Sequence, residues 1–435
     1  MVTRTHRRAL RQQSAASRFC AEQAPPDSRS PAQRDRDRIL YTGAFARLAE
    51  ITQVVSPERG YVFHNRLTHS LKVGQIARRI AEYLNQQAPD DVKRIGGLDP
   101  DAAEAAGLAH DMGHPPFGHI AEEELNQLVL DEGVSDGYEG NAQSFRIVTR
   151  LASSDARDRR ENAIPGLNLT RMTLDGLLKY PWPSGDRQNP KKWGYYETER
   201  DIFAWVRAGR PARQRSGIAE IMDWADDITF AIHDLLDFYC AGKIPIDRCK
   251  GRLSSERERL IVSMFGRKPE WLPERARYLE ALECIVDQFP FEPGERYGNS
   301  VQDRARLYDF STGLIRYLVG SLRLNPSGSL SIVAVNAEAK REVDVLKQFI
   351  WEYVIENQDL AVVQNGQRGA VRAVFTRLLH AARDKKYYLF PSGYQGIAAK
   401  ARDKGERVRV VADCLAGMTE KELMHFHRCL QGLAT

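Results

Sequence analysis

The six cysteines of this chain, Cys20, Cys240, Cys249, Cys284, Cys414 and Cys429, form no C-x-x-C pair and are scattered along 435 residues. That spread excludes the compact disulfide framework of a small secreted domain and fits a reducing cytoplasm, which is the expected location. Long apolar runs are missing too. None approaches the roughly 18 residues that a membrane-spanning helix needs, so no membrane partner is expected. Excess charge is equally scarce: 63 basic against 58 acidic residues leave +5, too little by itself to argue for nucleic acid. Alternating strand patterns are rare, and no repeat recurs at solenoid periods.

Length is what the chain does have. It suffices for one large domain or two to three ordinary ones. Residues 1–37 carry Arg4, Arg7, Arg8, Arg11, Arg18, Arg29, Arg34 and Arg36, no lysine, and the turn-rich AEQAPPDSRSPAQ, so a disordered basic arm is expected there. Such an arm reads as a solvated tail, a phosphate or nucleic-acid contact, or an organelle-targeting segment; it lacks the apolar stretch of a secretory signal. Beyond it the helical period dominates. Leu67, Leu71, Ile76, Ile80 and Leu84 recur at steps of four to five, and Leu235, Leu236 and Phe238 continue another amphipathic run. Interruptions rich in Gly, Pro or Ser fall at 113–119, 180–194, 209–217 and 323–332. A short hairpin is expected within KKWGYYETERDIFAWV. The predicted fold is all-α with at most that small hairpin: residues 38–245 hold the informative polar groups, and 246–435 read as further helices packed on them.

Three segments carry chemistry. In NRLTHSLKVGQIARRIAEYL, His69 shares a helical stripe with Val73, Ile76 and Ile80 and faces inward. Alone, it reads as a satisfied core histidine more readily than as a metal ligand. In AAGLAHDMGHPPFGHIAEEEL, His110 and Asp111 stand side by side where Gly113, Pro115 and Pro116 stop a small-residue helix. Mid-helix neighbours diverge by about 100°, but at a helix end an imidazole nitrogen and a carboxylate oxygen can aim at one point. Those are the ligands that borderline and hard divalent metals share. His114 and His119 follow closely, a density that a structural charge pair does not explain. In IMDWADDITFAIHDLLDF, Asp226, Phe230 and Asp234 fall at i, i+4 and i+8 on one helix face, with His233 nearby. Asp223, Asp227 and Asp237 also suit a solvated acidic face. Ile221, Met222, Trp224, Ile228 and Leu235 argue for burial instead, and a buried carboxylate requires a partner or a metal.

A lone His, a later His-Asp doublet and a distant Asp resemble the pattern of the HD metallohydrolase superfamily; here they are His69, His110 with Asp111, and Asp226. Through RLTHSLKVGQIAR, LAHDMGHPPFGHIAEEEL, YEGNAQSFRIV, GLNLTRMTLDGLLKYPW and ADDITFAIHDLLDF, residues 38–245 are similar to the bacterial deoxyguanosine triphosphate triphosphohydrolase-like family. DCLAGMTEKEL extends a weaker likeness toward the C-terminus. The resemblance implies an HD helical bundle with additional C-terminal helices and one divalent metal per subunit on His69, His110, Asp111 and Asp226. It implies hydrolysis of deoxynucleoside triphosphates, dGTP among them, to deoxynucleoside and inorganic triphosphate. It also implies homo-oligomers, switched on in some relatives by a dNTP activator. Mixed N and O ligation favours manganese, magnesium, iron, cobalt or nickel over closed tetrahedral zinc.

A nucleoside 5′-oxygen leaves poorly without a proton. His119 is the expected general acid, with Glu122 at i+3 to fix its other ring nitrogen; the resemblance gives the same pair. His114 is expected on phosphate oxygens. Arg66, one turn before His69, can reach the same cavity, and the resemblance implies phosphate contact for Arg66, Lys179 and Lys192, each of which also reads as an ordinary surface base. It implies contact with the 3′-hydroxyl for Gln53 and Asp234. Position 230 departs from the family: Phe230 stands where a tyrosine commonly packs on the deoxyribose, keeping the ring and losing the hydroxyl. Tyr180 and Tyr196 are nearby aromatics that suit the sugar or the core. Two rival readings remain. One is an HD phosphodiesterase or nucleotidase on other nucleotides, with His233 as a spare ligand. The other is a non-catalytic nucleotide sensor or nucleic-acid binder, motivated by the basic arm and GRPARQRSG.

Overall fold

The helices start where the sequence supplies caps. The computed structural model describes residues 14–22, 27–53, 65–152, 166–251, 253–325, 331–356 and 358–433. Ser30 caps α1 (Pro31–Leu40) in a reciprocal box with Gln33, Asn65 caps α2 (Arg66–Gln87) through the Thr68 amide, and Asp99 caps α3 (Pro100–Ala109), which begins with proline. Next come α4 (His119–Asp131), α5 (Gly140–Arg146), α6 (Arg171–Leu177), α7 (Gly217–Thr229) and α8 (Leu235–Cys240). They are followed by α9 (Ser255–Arg267), α10 (Arg275–Gln288) and α11 (Val301–Gly320). After the strands β1 (Leu322–Leu324) and β2 (Val333–Val335) come α12 (Ala337–Ile350), α13 (Gln358–Arg383), α14 (Ser392–Lys400), α15 (Lys404–Ala416) and α16 (Glu420–Leu430), with shorter helical turns between.

The all-α expectation holds, but the hairpin is elsewhere. β1 and β2 pair antiparallel, Arg323 opposite Ala334, at either end of the stretch 323–332 that the sequence marks as an interruption. The amides of Ile332 and Val333 donate to the Glu220 carboxylate at 2.9 and 2.7 Å, which ties β2 to α7. The aromatic run 191–206 forms no hairpin: Tyr195 makes one isolated bridge to Pro183, and a helix takes over at Arg200–Val206.

Helices α2 and α3 cross at close range because Gly107 lacks a side chain; a Cβ there would lie 2.8 Å from the Cα of Gly74. Val73, Ile76 and Ile80 of α2 and Ala102, Ala103 and Ala106 of α3 meet Ile221, Ala225 and Ile228 of α7 in one core. That core runs on through Leu260, Leu282, Phe289 and Phe349, so much of the chain beyond residue 246 shares it. A second cluster joins Leu125 and Val129 of α4 to Val374 and Leu378 of α13 and Val411 and Leu415 of α15. Leu71, counted in the predicted stripe, is exposed. Steps of four to five drift off a 3.6-residue face, and Leu71 falls almost opposite His69.

The arm expected over 1–37 gives way to order well before its end. Arg18 donates to Asp35 at 2.7 Å and to the carbonyl of Asn168; Arg36 pairs with Asp101 and Glu104, each at 3.3 Å. Asp27, Asp35 and Asp37 neutralise arginines that composition counted as free. Arg4, Arg7, Arg8 and Arg11 lie outside the described residues. The loop GRPARQRSG is likewise committed internally: Arg207 and Arg210 hold Asp175, Arg213 holds Asp186, and Arg215 holds Asp223. All six cysteines are free thiols, and no helix among the described residues is long and apolar enough to cross a membrane.

Candidate metal centre and active site

The α2–α3 crossing brings two histidines together. His69 leaves the first turns of α2 and His110 ends α3, their ring centroids 5.6 Å apart. Asp226, in the last turn of α7, faces both: its Oδ1 is 3.1 Å from His69 Nε2 and 3.7 Å from His110 Nε2. Asp111 Oδ1 lies 3.4 Å from His110 Nε2. Three of the four groups expected to share a cation, His69, His110 and Asp226, offer donor atoms within 4.8 Å of one another; Asp111 stands beside His110 with its other oxygen on Arg66.

Donor chemistry tests whether they suit one. His110 Nδ1 donates to the carbonyl of Gly107 at 2.6 Å, which leaves Nε2, buried and without a hydrogen-bond partner, as the nitrogen that takes either a proton or a cation. Such an orphan, flanked by two carboxylates, is what a divalent ion satisfies. Burial works against a proton on His110, but Asp111 and Asp226 outweigh it and raise the imidazole to about 8. Burial opposes ionisation of both carboxylates as well. His110 and Arg66 nonetheless hold Asp111, and Lys179 with the two histidines holds Asp226, well below the usual range.

Beside this cluster stands the expected acid and its partner. His119, the first residue of α4, is largely exposed, and its Nδ1 lies 2.8 Å from Glu122 Oε2. The other Glu122 oxygen accepts from Lys192 at 2.8 Å and from the amide of Gly140 at 3.2 Å. Burial opposes ionisation of Glu122, and the hydrogen bond from His119 with the Lys192 charge reverses that effect. His114 sits between the two groups, its Nδ1 3.0 Å from Asp111 Oδ1 and its Nε2 3.9 Å from Glu122 Oε2. Burial and the Arg66 charge push it down to about 4, so it is neutral near pH 7.

Each expected phosphate ligand is paired. Arg66 donates to Asp111 Oδ2 at 2.7 Å, Lys179 bridges Asp223 at 2.7 Å and Asp226 at 3.0 Å, and Lys192 bridges Glu122 and Glu139. Asp234 is buried with Oδ2 unpartnered, and burial, then Asp237 and Asp226, raise its carboxyl well above normal. The i, i+4, i+8 reading of Asp226, Phe230 and Asp234 needs correction: residues 230–234 form a π-helical turn, which sets Asp234 back around the axis relative to a continuous α-helix. Gln53 has a buried, unpartnered Oε1. Tyr180 is half-buried against Trp182. Tyr196 belongs to the interior, its hydroxyl on the Glu139 backbone and its ring under Arg409. His233 faces Lys72 at 3.1 Å.

Residues 66–230 match the HD domain, and residues 333–429 match the phosphohydrolase-associated domain. The chain is 34% identical to a deoxyguanosinetriphosphate triphosphohydrolase-like protein of Streptomyces coelicolor, over 96% of this chain and 97% of that one. It is 35% identical to a protein of the same name from Corynebacterium efficiens, over 94% and 93%, and 30% identical to one from Caulobacter vibrioides, over 93% and 90%. The chain belongs to the deoxyguanosinetriphosphate triphosphohydrolase-like family. It is a metal-dependent phosphohydrolase of the HD type. A solved hypothetical protein from Aquifex aeolicus, 17% identical over 77% of this chain and 59% of its own, superposes at a TM-score of 0.25, which carries no argument.

Several residues that shape the phosphohydrolase site escaped sequence reasoning. Ser144 accepts from the Gly113 amide at 2.8 Å and donates to the His110 carbonyl at 2.7 Å, fixing the doublet from behind. Glu139 orients Lys192, and Asp223 orients Lys179. The motif YEGNAQSFRIV contained Glu139 and Ser144 but gave no hint of their partners. Glu420, more than 300 residues from the doublet along the chain, lies in DCLAGMTEKEL, which gave no hint of its contacts with Thr52 and Phe117.

Proposed function

We propose that this protein hydrolyses deoxynucleoside triphosphates, dGTP among them, to deoxynucleoside and inorganic triphosphate. The observation that carries the reading is the juxtaposition of the His69, His110, Asp111 and Asp226 cluster with the His119–Glu122 pair, connected through His114. A site that protonates a 5′-oxygen while water attacks the α-phosphorus needs both parts on one cavity wall. The printed names of the relatives support the same substrate class.

What a divalent cation supplies, when bound by His69, His110, Asp111 and Asp226, is Lewis acidity toward an α-phosphate oxygen and toward water. The side chains do the rest. Arg66, Lys179 and neutral His114 offer donors to the phosphate oxygens, and Lys192 adds charge beside Glu122. Glu122 accepts from His119 Nδ1, so Nε2 is the nitrogen that points a proton at the leaving 5′-oxygen. The attacking water oxygen stays with the triphosphate, and the deoxynucleoside departs with the proton from His119. Gln53 and Asp234 are the proposed contacts of the 3′-hydroxyl; Phe230 and Tyr180 pack the deoxyribose. A homo-oligomer, a dNTP activator and a cytoplasmic location are parts of the same proposal.

The test is product analysis of the purified full chain with each dNTP and manganese. Release of triphosphate with deoxynucleoside supports the reading. Phosphate or pyrophosphate as the sole product points to a nucleotidase or phosphodiesterase, and nucleotide binding without turnover at any divalent metal points to a sensor. The internal pairing of Arg207, Arg210, Arg213 and Arg215 weighs against the nucleic-acid alternative for that loop.

A further inference from the structure

The loop that delivers His119 is bent in an uncommon way. Phe117 and Gly118 both lie in the left-handed region, at φ 68° and 61°. Gly118 tolerates that conformation and Phe117 pays a steric penalty for it, so the loop needs an outside hold. The amide of Phe117 donates at 3.1 Å to Oε1 of Glu420, the first residue of α16. The same oxygen accepts from the amide of Thr52 at 2.7 Å, and Glu420 Oε2 accepts from the Thr52 hydroxyl at 2.8 Å. One carboxylate thus binds two segments that border the site: the turn before His119, and the residue before Gln53. Between them passes Arg66, whose Nη2 would lie 2.9 Å from a Cβ on Gly118.

Glu420 is itself held firmly. The carbonyl of Met418, two residues before it, accepts from Arg47 at 2.9 Å; separately, Thr419 caps α16 in a reciprocal box with Glu422 that makes no use of the Glu420 side chain. The other guanidinium nitrogen of Arg47 donates to the carbonyls of Met112 and His114 at 2.9 and 2.8 Å. The turn from Met418 to Glu420 therefore meets the loop 112–118 at both ends, and it lies inside the segment that matches the phosphohydrolase-associated domain.

We propose that Glu420 is a positioning residue, through which the phosphohydrolase-associated segment sets the reach of His119 to the leaving group; this rests on the general-acid reading of His119. Loss of the carboxylate frees Phe117 to relax toward negative φ and swings the start of α4. A displacement of about 1 Å there is enough to cost up to about 100-fold in rate. Glutamine keeps one carbonyl oxygen for the two amides. Aspartate, one methylene shorter, does not span both segments.

The experiment compares Glu420→Ala, Glu420→Gln, Glu420→Asp and Glu422→Ala in the full-length, metal-loaded protein. Glu422→Ala opens the capping box of the same helix and leaves the clamp intact, so it reports damage to α16 alone. The expected order of kcat is wild type, then Gln, then Asp and Ala, with Ala down about 10- to 100-fold. Metal content stays unchanged, and the limb of the kcat–pH profile that reports the acid flattens. Glu422→Ala lowers the melting temperature with kcat within about twofold. Hydrogen exchange across 113–119 rises in Glu420→Ala and not in Glu422→Ala, whatever the substrate. Unchanged exchange in Glu420→Ala overturns the proposal, as does an equal loss of kcat in Glu420→Ala and Glu422→Ala. A wild-type protein that releases no triphosphate fails the functional reading instead, and the exchange arm still decides whether Glu420 holds the loop.

Discussion

The two oxygens of Glu122 face different partners, and that asymmetry makes Glu122→Gln the sharpest test of the acid. Oε1 accepts from the Lys192 ammonium at 2.8 Å and the Gly140 amide at 3.2 Å, both donors only. A glutamine must place its carbonyl oxygen there, because an NH2 group would meet two donors. Its NH2 is then forced opposite His119 Nδ1, where the carboxylate had accepted at 2.8 Å. The ring is left with Nδ1 as acceptor and loses the counter-charge of its doubly protonated form. Side-chain volume and the Lys192 contact are retained, so the fold and the metal cluster are spared. General-acid catalysis contributes about 10²- to 10⁴-fold, and kcat should fall by that factor, about 3 to 5 kcal/mol in the barrier.

Steady-state triphosphate release at pH 7, with metal content measured in parallel, reads the loss. A nucleotide analogue whose leaving group is p-nitrophenolate supplies the decisive comparison, since that group departs without a proton. On it, Glu122→Gln should lose less than about tenfold. If the variant keeps dNTP turnover within about threefold of wild type, or if both substrates lose the same factor, His119 is not the acid and Glu122 does not direct it.

Asp226→Ala should lose bound metal and turnover together, by elemental analysis and product assay, because it removes the carboxylate shared by both imidazoles. Gly107→Ala should cost about 1–3 kcal/mol in chemical denaturation, since its Cβ would strike the Gly74 backbone at 2.8 Å; metal affinity should fall with it as His69 and His110 separate. Burial raises the Glu220 carboxyl, so the unfolded chain gives up that proton at lower pH than the folded one, and the stability present below the ordinary value is lost as pH rises through the raised one. Glu220→Gln keeps an acceptor for the Ile332 and Val333 amides and should gain stability relative to wild type, in urea midpoints, as pH rises above the ordinary glutamate range.

What the sequence disclosed and what it hid divide along a physical line. His69, the His110–Asp111 doublet and Asp226 were legible because each sits at a position whose helical phase or helix end fixes its direction locally. The His119–Glu122 pair was legible for the same reason, being three residues apart on one helix. The hairpin was misplaced because β2 is tied down by Glu220, over 110 residues away along the chain, a contact that no local pattern shows. The arm was overextended because composition does not show that Asp35 receives Arg18. The π-turn at 230–234 was invisible to a fixed 3.6-residue period, and Glu420 acts on Thr52 and Phe117 through contacts that no local pattern encodes.

If the proposed function holds, the charges of the site couple metal to substrate. Arg66 and Lys179 are both engaged by the carboxylates that would ligate a cation, Asp111 and Asp226. Were those carboxylates to hold a divalent ion, their grip on the two side chains would weaken and leave both free to donate to an anion. Lys192 differs, because its partners Glu122 and Glu139 are not among the groups proposed to hold a cation. Metal and triphosphate binding must then favour each other by the same free energy in both directions. On the proposed reading, phosphate affinity would follow cation occupancy, so that Arg66 and Lys179 stay engaged by Asp111 and Asp226 until a cation arrives.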